Sequence, residues 1–211
     1  INMVLGASYA GARSMVGTSG GGFSLMAEAL GFAGIAEIPV VIVDAQRPGP
    51  ATGFPTRTEQ SDLKFVVSAS QGEFPRLVIA VKDHADAFYQ SARALELAEK
   101  HQIPVILLTD QYLADSSATP PIFDLQKINK NTWDEKSVSD GVNYRTYLLT
   151  ECGISPRPKP GKTKSLVCID SDEHDEYGNI TESAQMRVKM VDKRMSKLNL
   201  LKDELIEPDF L

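Results

Sequence analysis

Three short runs of the chain, at 39–44, 77–81 and 104–109, are nearly continuous in Val, Ile and Leu. Such runs predict strands covered on both faces, and hence a parallel sheet. Between the last two, Ala85, Phe88, Ala92, Leu95 and Ala98 recur at helical spacing over 83–100, with Asp83 placed to cap the first turn and His101 and Gln102 leading into the next strand. The unit is strand, helix, strand. A weaker strand at 14–17 runs through Thr18-Ser19-Gly20-Gly21-Gly22 into a helical pattern at 23–36, so the alternating order begins earlier. The class predicted is α/β, a parallel sheet with helices on both faces. The loops at 18–22 and 48–55 both follow strand ends, the edge at which open α/β sheets bind ligands.

Past Thr119-Pro120-Pro121 the pattern changes. Residues 124–160 are polar, broken by prolines and without a sustained period, which predicts an excursion packed on something larger. From 182 to 205 the pattern is helical and heavily charged, with Met186, Met190, Met195 and Leu198 as sparse apolar positions. It reads as a surface or connecting helix. The organisation expected is one domain over 1–123 and a connecting region over 124–211, leading toward a further domain. Residues 1–12 already read as the middle of an apolar helix with no initiator Met, as in a fragment.

Composition narrows the class. The 211 residues are 42% apolar, and 22 basic against 28 acidic side chains give a net charge of −6, so nucleic acid is not an expected partner. No apolar stretch approaches the roughly 20 residues of a membrane-spanning helix, and the expected location is the cytoplasm. Cys152 and Cys168 lack the spacing of an iron–sulfur or zinc site, so they read as small apolar residues of a reducing compartment. Any electron carrier would have to sit elsewhere.

Against this background the stretch GASYAGARSMVGTSGGGF at 6–23 and AEIPVVIVDAQRPGPATGFPTRTEQSDL at 36–63 resembles the pyrimidine-binding domain of the 2-oxoacid:ferredoxin oxidoreductase alpha subunit, of the type acting on 2-oxoglutarate or broad 2-oxoacids. The resemblance continues through HQIPVILLTDQYLADS, GISPRPKPG and DSDEHDEYGNITE. It implies oxidative decarboxylation of a 2-oxoacid with coenzyme A to an acyl-CoA, with electrons passed to ferredoxin. Thiamine diphosphate would supply the difficult chemistry, as protein side chains stabilise an acyl carbanion poorly. By the resemblance the cofactor is shared: this domain faces its pyrimidine ring, while a partner beta subunit holds the diphosphate, Mg²⁺ and an iron–sulfur cluster. No GDG motif with a downstream Asn occurs here, and the family's ring-protonating glutamate and substrate threonine would precede Ile1. No catalytic residue is therefore assigned within these residues, and the complete enzyme is expected to be an oligomer of alpha and beta chains.

The resemblance also weights individual residues. Thr18, Ser19, Gly20 and Gly21 read either as ordinary scaffold in a glycine-rich turn or as cofactor contacts, and the resemblance favours contact. Arg47, followed by the stiff Pro48-Gly49-Pro50, reads either as a surface cation paired with Asp62 or Glu59, or as the ligand of the 2-oxoacid carboxylate. The resemblance favours the substrate. Asp62 reads as the cap of a helix starting near Leu63. Gly20, Gly21, Phe23 and Phe54 are expected near an apolar edge that meets a partner.

The run Asp170, Asp172, Glu173, Asp175 and Glu176 around His174 fails the calcium-loop pattern, having Asp175 where glycine is needed, and reads as a solvated or partner-bridging acidic loop. No metal site is expected. His84 and His101 read as structural. Two rivals remain: the pyrimidine half of a transketolase-like or dehydrogenase-type thiamine enzyme, and a non-catalytic flavodoxin-like assembly module.

Overall fold

A computed structural model describes residues 1–130 and 144–207; part of the 124–160 excursion, and the last residues of the 124–211 region, lie outside them. The element order is α1 (Asn2–Tyr9), β1 (Met15–Thr18), α2 (Gly20–Ile35), β2 (Val40–Gln46), α3 (Leu63–Ser68), β3 (Leu77–Ala80), α4 (His84–His101), β4 (Pro104–Asp110), α5 (Gln111–Asp115) and α6 (Ala184–Leu201). Short 3₁₀ turns lie at Leu125–Lys127 and Lys202–Glu204. The strands form a four-stranded sheet in the order β1-β2-β4-β3, every pair parallel.

Alternation along the central strands divides the core. Val40 and Ile42 of β2, with Ile106 and Leu108 of β4, face Leu5 of α1, Phe23, Leu30 and Ala33 of α2 and Val66 of α3. Val41, Val105 and Leu107 face Ala94, Leu97 and Ala98 of α4, and Leu201 of α6. Each buried Val, Leu or Ile contributes roughly 1.5–3 kcal/mol, so continuous apolar runs are what a sheet covered twice requires. Asp83 caps α4, its carboxylate accepting the Asp86 N–H at 2.8 Å.

Two expectations about helices are corrected. The helix expected at 23–36 begins at Gly20, so the glycines form its first turn and not a loop. More consequentially, α6, expected as a surface or connecting helix, is exposed on one face but buries the other among charged residues. Met190 is buried as an apolar residue should be, but so are Lys193, Arg194 and Lys197. Lys193 and Lys197 reach Glu37, which follows α2 with φ +53°, and Lys197 also donates to the Gln102 carbonyl at 3.1 Å. The hydrophobic pattern hid this face because its buried residues are charged.

The acidic run likewise turns inward. Glu173 is bound by Arg194 at 2.9 and 3.0 Å and by Arg187 at 2.6 Å, and Glu176 pairs with Arg145. His174 is fully buried, stacked on Tyr147 with centroids 3.8 Å apart, and forms an antiparallel bridge with Ile180. Asp175 accepts N–H groups of Tyr177 and Asn179, closing the turn between them. Glu173 therefore serves α6, Glu176 the segment around Arg145 and Leu149, and Asp175 its own turn, so the solvated-loop reading holds only for the exposed Asp172. Tyr147 is buried in turn and donates to the Ala36 carbonyl, and Ser155 exchanges hydrogen bonds with Gln102. The described residues of the excursion after 143 thus pack on the sheet domain itself.

Candidate functional site

Parallel pairing brings three strand ends to one edge. Thr18 is level with Asp44, Asp44 with Leu108, and Gln46 with Asp110. Arg47 leaves the sheet directly after Gln46. Ser19 takes the N-cap position with extended backbone, but its hydroxyl makes no capping bond, so the helix start keeps unsatisfied N–H groups. The glycines here answer to the chain's own packing: a Cβ on Gly22 would collide with the Thr18 hydroxyl, and one on Gly20 would lie 2.5 Å from Asp62 Oδ2. At Gly21 the nearest atom is the Ala51 carbonyl at 3.4 Å, so the loop after Arg47 folds back over this turn.

That loop is held at its ends and open in its middle. Gln46 is only 4% exposed; its Nε2 donates to the Thr109 carbonyl at 3.1 Å, and its Oε1 accepts the Asp62 N–H at 3.0 Å. Gln60 donates to Asp110 Oδ2 at 2.6 Å, while Asp110 Oδ1 accepts from Leu113 and caps α5. Between these anchors every residue from 49 to 61 is exposed, Phe54 at 67%. Leu25 of α2 and Leu63 and Val67 of α3 are also exposed. Phe23 departs from expectation: it is fully buried, edge-on to Phe65 with centroids 5.5 Å apart, because its place on α2 faces the core.

Arg47 is half-buried, its Nε has no partner, and among the described residues it forms no ion pair with Asp62 or Glu59. Asp62 stands at the start of α3 without capping it by its side chain. Its N–H is drawn to Gln46 and its carboxylate to Gly20, where Oδ2 is buried and unpartnered. Below it Asp44 is fully buried, both oxygens lacking partners. Burial first, and the Asp62 charge second, push the Asp44 carboxyl up to about 7. Asp62 is raised as well, by burial and then by Glu59. A buried unpaired carboxylate is costly, so Asp44 is driven to keep its proton near neutrality.

Reasoning from sequence missed Asp44 and Gln46. The signal was present: in VVIVDAQ both stand at core-facing positions of an otherwise apolar strand, and a polar residue there needs a reason. Among the described residues no three His, Cys, Asp or Glu side chains gather as metal ligands. His84 bonds to Ser116 at the start of α4, and His101 is buried against Glu204. Cys168 is half-buried and Cys152 exposed, so only the former behaves as a small core residue. No helix among the described residues is long and apolar enough to cross a membrane.

A parallel sheet covered by helices, with a glycine-rich helix start at its strand ends, is the arrangement of α/β domains that bind ligands at that edge. Residues 1–193 match the family model described as pyruvate flavodoxin/ferredoxin oxidoreductase, thiamine diphosphate-binding, and the chain belongs to that family. It is 47% identical over 98% of its length to the alpha subunit of 2-oxoacid:ferredoxin oxidoreductase 1 from Sulfurisphaera tokodaii, covering 33% of that protein. The 2-oxoglutarate synthase subunit KorA of Methanocaldococcus jannaschii is 33% identical over 98% of the chain, which covers 55% of it. A solved 2-oxoglutarate:ferredoxin oxidoreductase from Magnetococcus marinus, with 2-oxoglutarate, coenzyme A and succinyl-CoA bound, superposes with TM-score 0.82 at 40% identity, over 98% of this chain and 36% of that one. The chain spans about a third of the length of the 2-oxoacid:ferredoxin oxidoreductase alpha subunits it matches.

Proposed function

We propose that these residues form the aminopyrimidine-facing wall of a shared active site in a 2-oxoacid:ferredoxin oxidoreductase, with 2-oxoglutarate as substrate, coenzyme A as acyl acceptor and ferredoxin as electron acceptor. The carrying observation is Arg47, half-buried at the strand edge with Nε unpartnered and, among the described residues, no carboxylate paired to it. Membership of a thiamine diphosphate-binding family and the names of the relatives support this reading over the transketolase-like and assembly-module rivals.

The residues present fit the cofactor. The Ser19 hydroxyl is free of capping duty, and the first N–H groups of α2 are open to an acceptor. Thr18, Ser19, Gly20 and Gly21 would line the pyrimidine, with Gly20 acting through its contact with Asp62. Thiamine diphosphate supplies the electron sink that decarboxylation needs. Arg47 binds the substrate carboxylate through its planar fork and so sets the position of the keto carbon. The loop over Gly21 excludes water from the same edge. A beta subunit would hold the diphosphate, Mg²⁺ and iron–sulfur cluster, and residues 1–123 would be the pyrimidine domain proper, with 124–211 continuing toward the next domain.

Calorimetry tests the division of the site. Residues 1–211 alone are expected to bind thiamine diphosphate weakly or not at all, and the assembled alpha–beta enzyme tightly with Mg²⁺. Tight binding by residues 1–211 alone contradicts the shared site.

A further inference from the structure

The loop that carries Arg47 spans 47–61 and is exposed from 49 onward, yet its two ends meet at one side chain. Gln46 immediately precedes the loop and Asp62 immediately follows it. The Gln46 carbonyl oxygen accepts the backbone N–H of Asp62 at 3.0 Å, and its amide nitrogen donates to the carbonyl of Thr109, at the end of the neighbouring strand β4, at 3.1 Å. A primary amide offers a donor and an acceptor at this reach at every pH and without charge. With 4% exposure the clasp is shielded from competing water. A carboxylate in its place would lack the donor and would face Asp44 and Asp62 on its own side, Asp110 level with it on β4, and Arg47 next in the chain.

We infer that Gln46 is a positioning residue for the substrate: by tying both ends of the 47–61 loop to β4 it fixes the direction in which Arg47 leaves the sheet. This rests on the reading of Arg47 as the carboxylate ligand. Positioning of that kind is sensitive, since displacement of about 1 Å can cost on the order of 100-fold in rate.

The test is a double-substitution cycle in the assembled enzyme, with thiamine diphosphate affinity and thermal unfolding followed alongside kinetics. Gln46→Met, which removes both hydrogen bonds, is expected to lower kcat/KM for the 2-oxoacid by roughly 10- to 100-fold in the Arg47 background. In the Arg47→Ala background it should lower it by about 2-fold or less, because the group being aimed is gone. The same full loss in both backgrounds overturns the inference and leaves the role of Arg47 standing. Near wild-type turnover in Arg47→Ala alone overturns both. Gln46→Glu decides the matter where the methionine variant fails to fold. Protonated, the new carboxyl donates to Thr109 and accepts from Asp62 as the amide does; ionised, it cannot. Its kcat/KM should approach wild type near about pH 6 and fall about 10-fold relative to wild type toward about pH 8, as burial beside Asp44 and Asp62 raises its titration range. A ratio to wild type that stays flat with pH contradicts the clasp.

Discussion

Lys193 of α6 donates to both carboxylate oxygens of Glu37, at 2.6 and 2.7 Å, across 156 positions of sequence. With Lys197 on the same carboxylate, the group is a buried two-to-one charge cluster, all three side chains at most 4% exposed. Burial alone would raise the Glu37 carboxyl; Lys197 and Lys193 outweigh it and bring it to about 2. Removing one member leaves uncompensated buried charge.

Glu37→Leu is therefore expected to destabilise the chain by about 3–5 kcal/mol. Adding Lys193→Met and Lys197→Met should recover most of the loss, because apolar side chains of similar size replace a buried cluster at little cost. Urea unfolding of the single and triple variants measures both. The pH dependence follows from the depressed carboxyl: its contribution is complete above the unfolded value near 4.5 and is lost as pH falls toward about 2. A mild effect of Glu37→Leu, below about 1 kcal/mol, contradicts the cluster's role in holding α6.

Asp44 has the opposite sign. Its folded value of about 7 lies above the ordinary 3.8, so its contribution is intact below about pH 4, erodes as pH climbs through 7 and is gone above. Asp44→Asn, which imitates the protonated form, should gain stability over wild type as pH rises, the gain near about pH 8 exceeding that near about pH 5 by roughly 1 kcal/mol or more. The buried His101 and His174, both lowered by burial, are common to the two proteins and cancel in the comparison. Equal denaturation midpoints for variant and wild type at both pH values contradict a protonated Asp44.

The glycine turn makes a paired prediction. Gly21→Ala meets only the Ala51 carbonyl at 3.4 Å and should be neutral or stabilising by up to about 1 kcal/mol, since alanine suits a helix better. Gly22→Ala drives a methyl group into the Thr18 hydroxyl and should cost about 1–3 kcal/mol. Thermal unfolding of the two variants, one residue apart, reads the difference in sign.

The sheet was legible in sequence because Val40, Ile42, Val105 and Leu107 announce burial on both faces. Asp83 declared its cap in the same way. The α6 face was not legible: hydrophobicity marks burial by apolar residues, and Lys193, Arg194 and Lys197 are buried through acids more than twenty positions away. Arg47 and the glycine turn were visible as residue types at strand ends. Their partners were not, because Gln46 joins Thr109 to Asp62, and no local period encodes a contact between three chain segments. Asp62 shows the limit most clearly. Its place before Leu63 predicts a cap, yet the Gln46 bond and the space left by Gly20 turn its carboxylate elsewhere.

The most direct measurement of the central claim is steady-state kinetics of Arg47 variants in the assembled enzyme, with thiamine diphosphate binding followed in parallel. If the guanidinium fork contributes about 2–4 kcal/mol in the transition state, Arg47→Ala lowers kcat/KM roughly 30- to 1000-fold and Arg47→Lys falls between, with cofactor affinity nearly unchanged. Near wild-type turnover in Arg47→Ala would remove Arg47 from the substrate site, and a loss confined to cofactor binding would move it to the pyrimidine pocket.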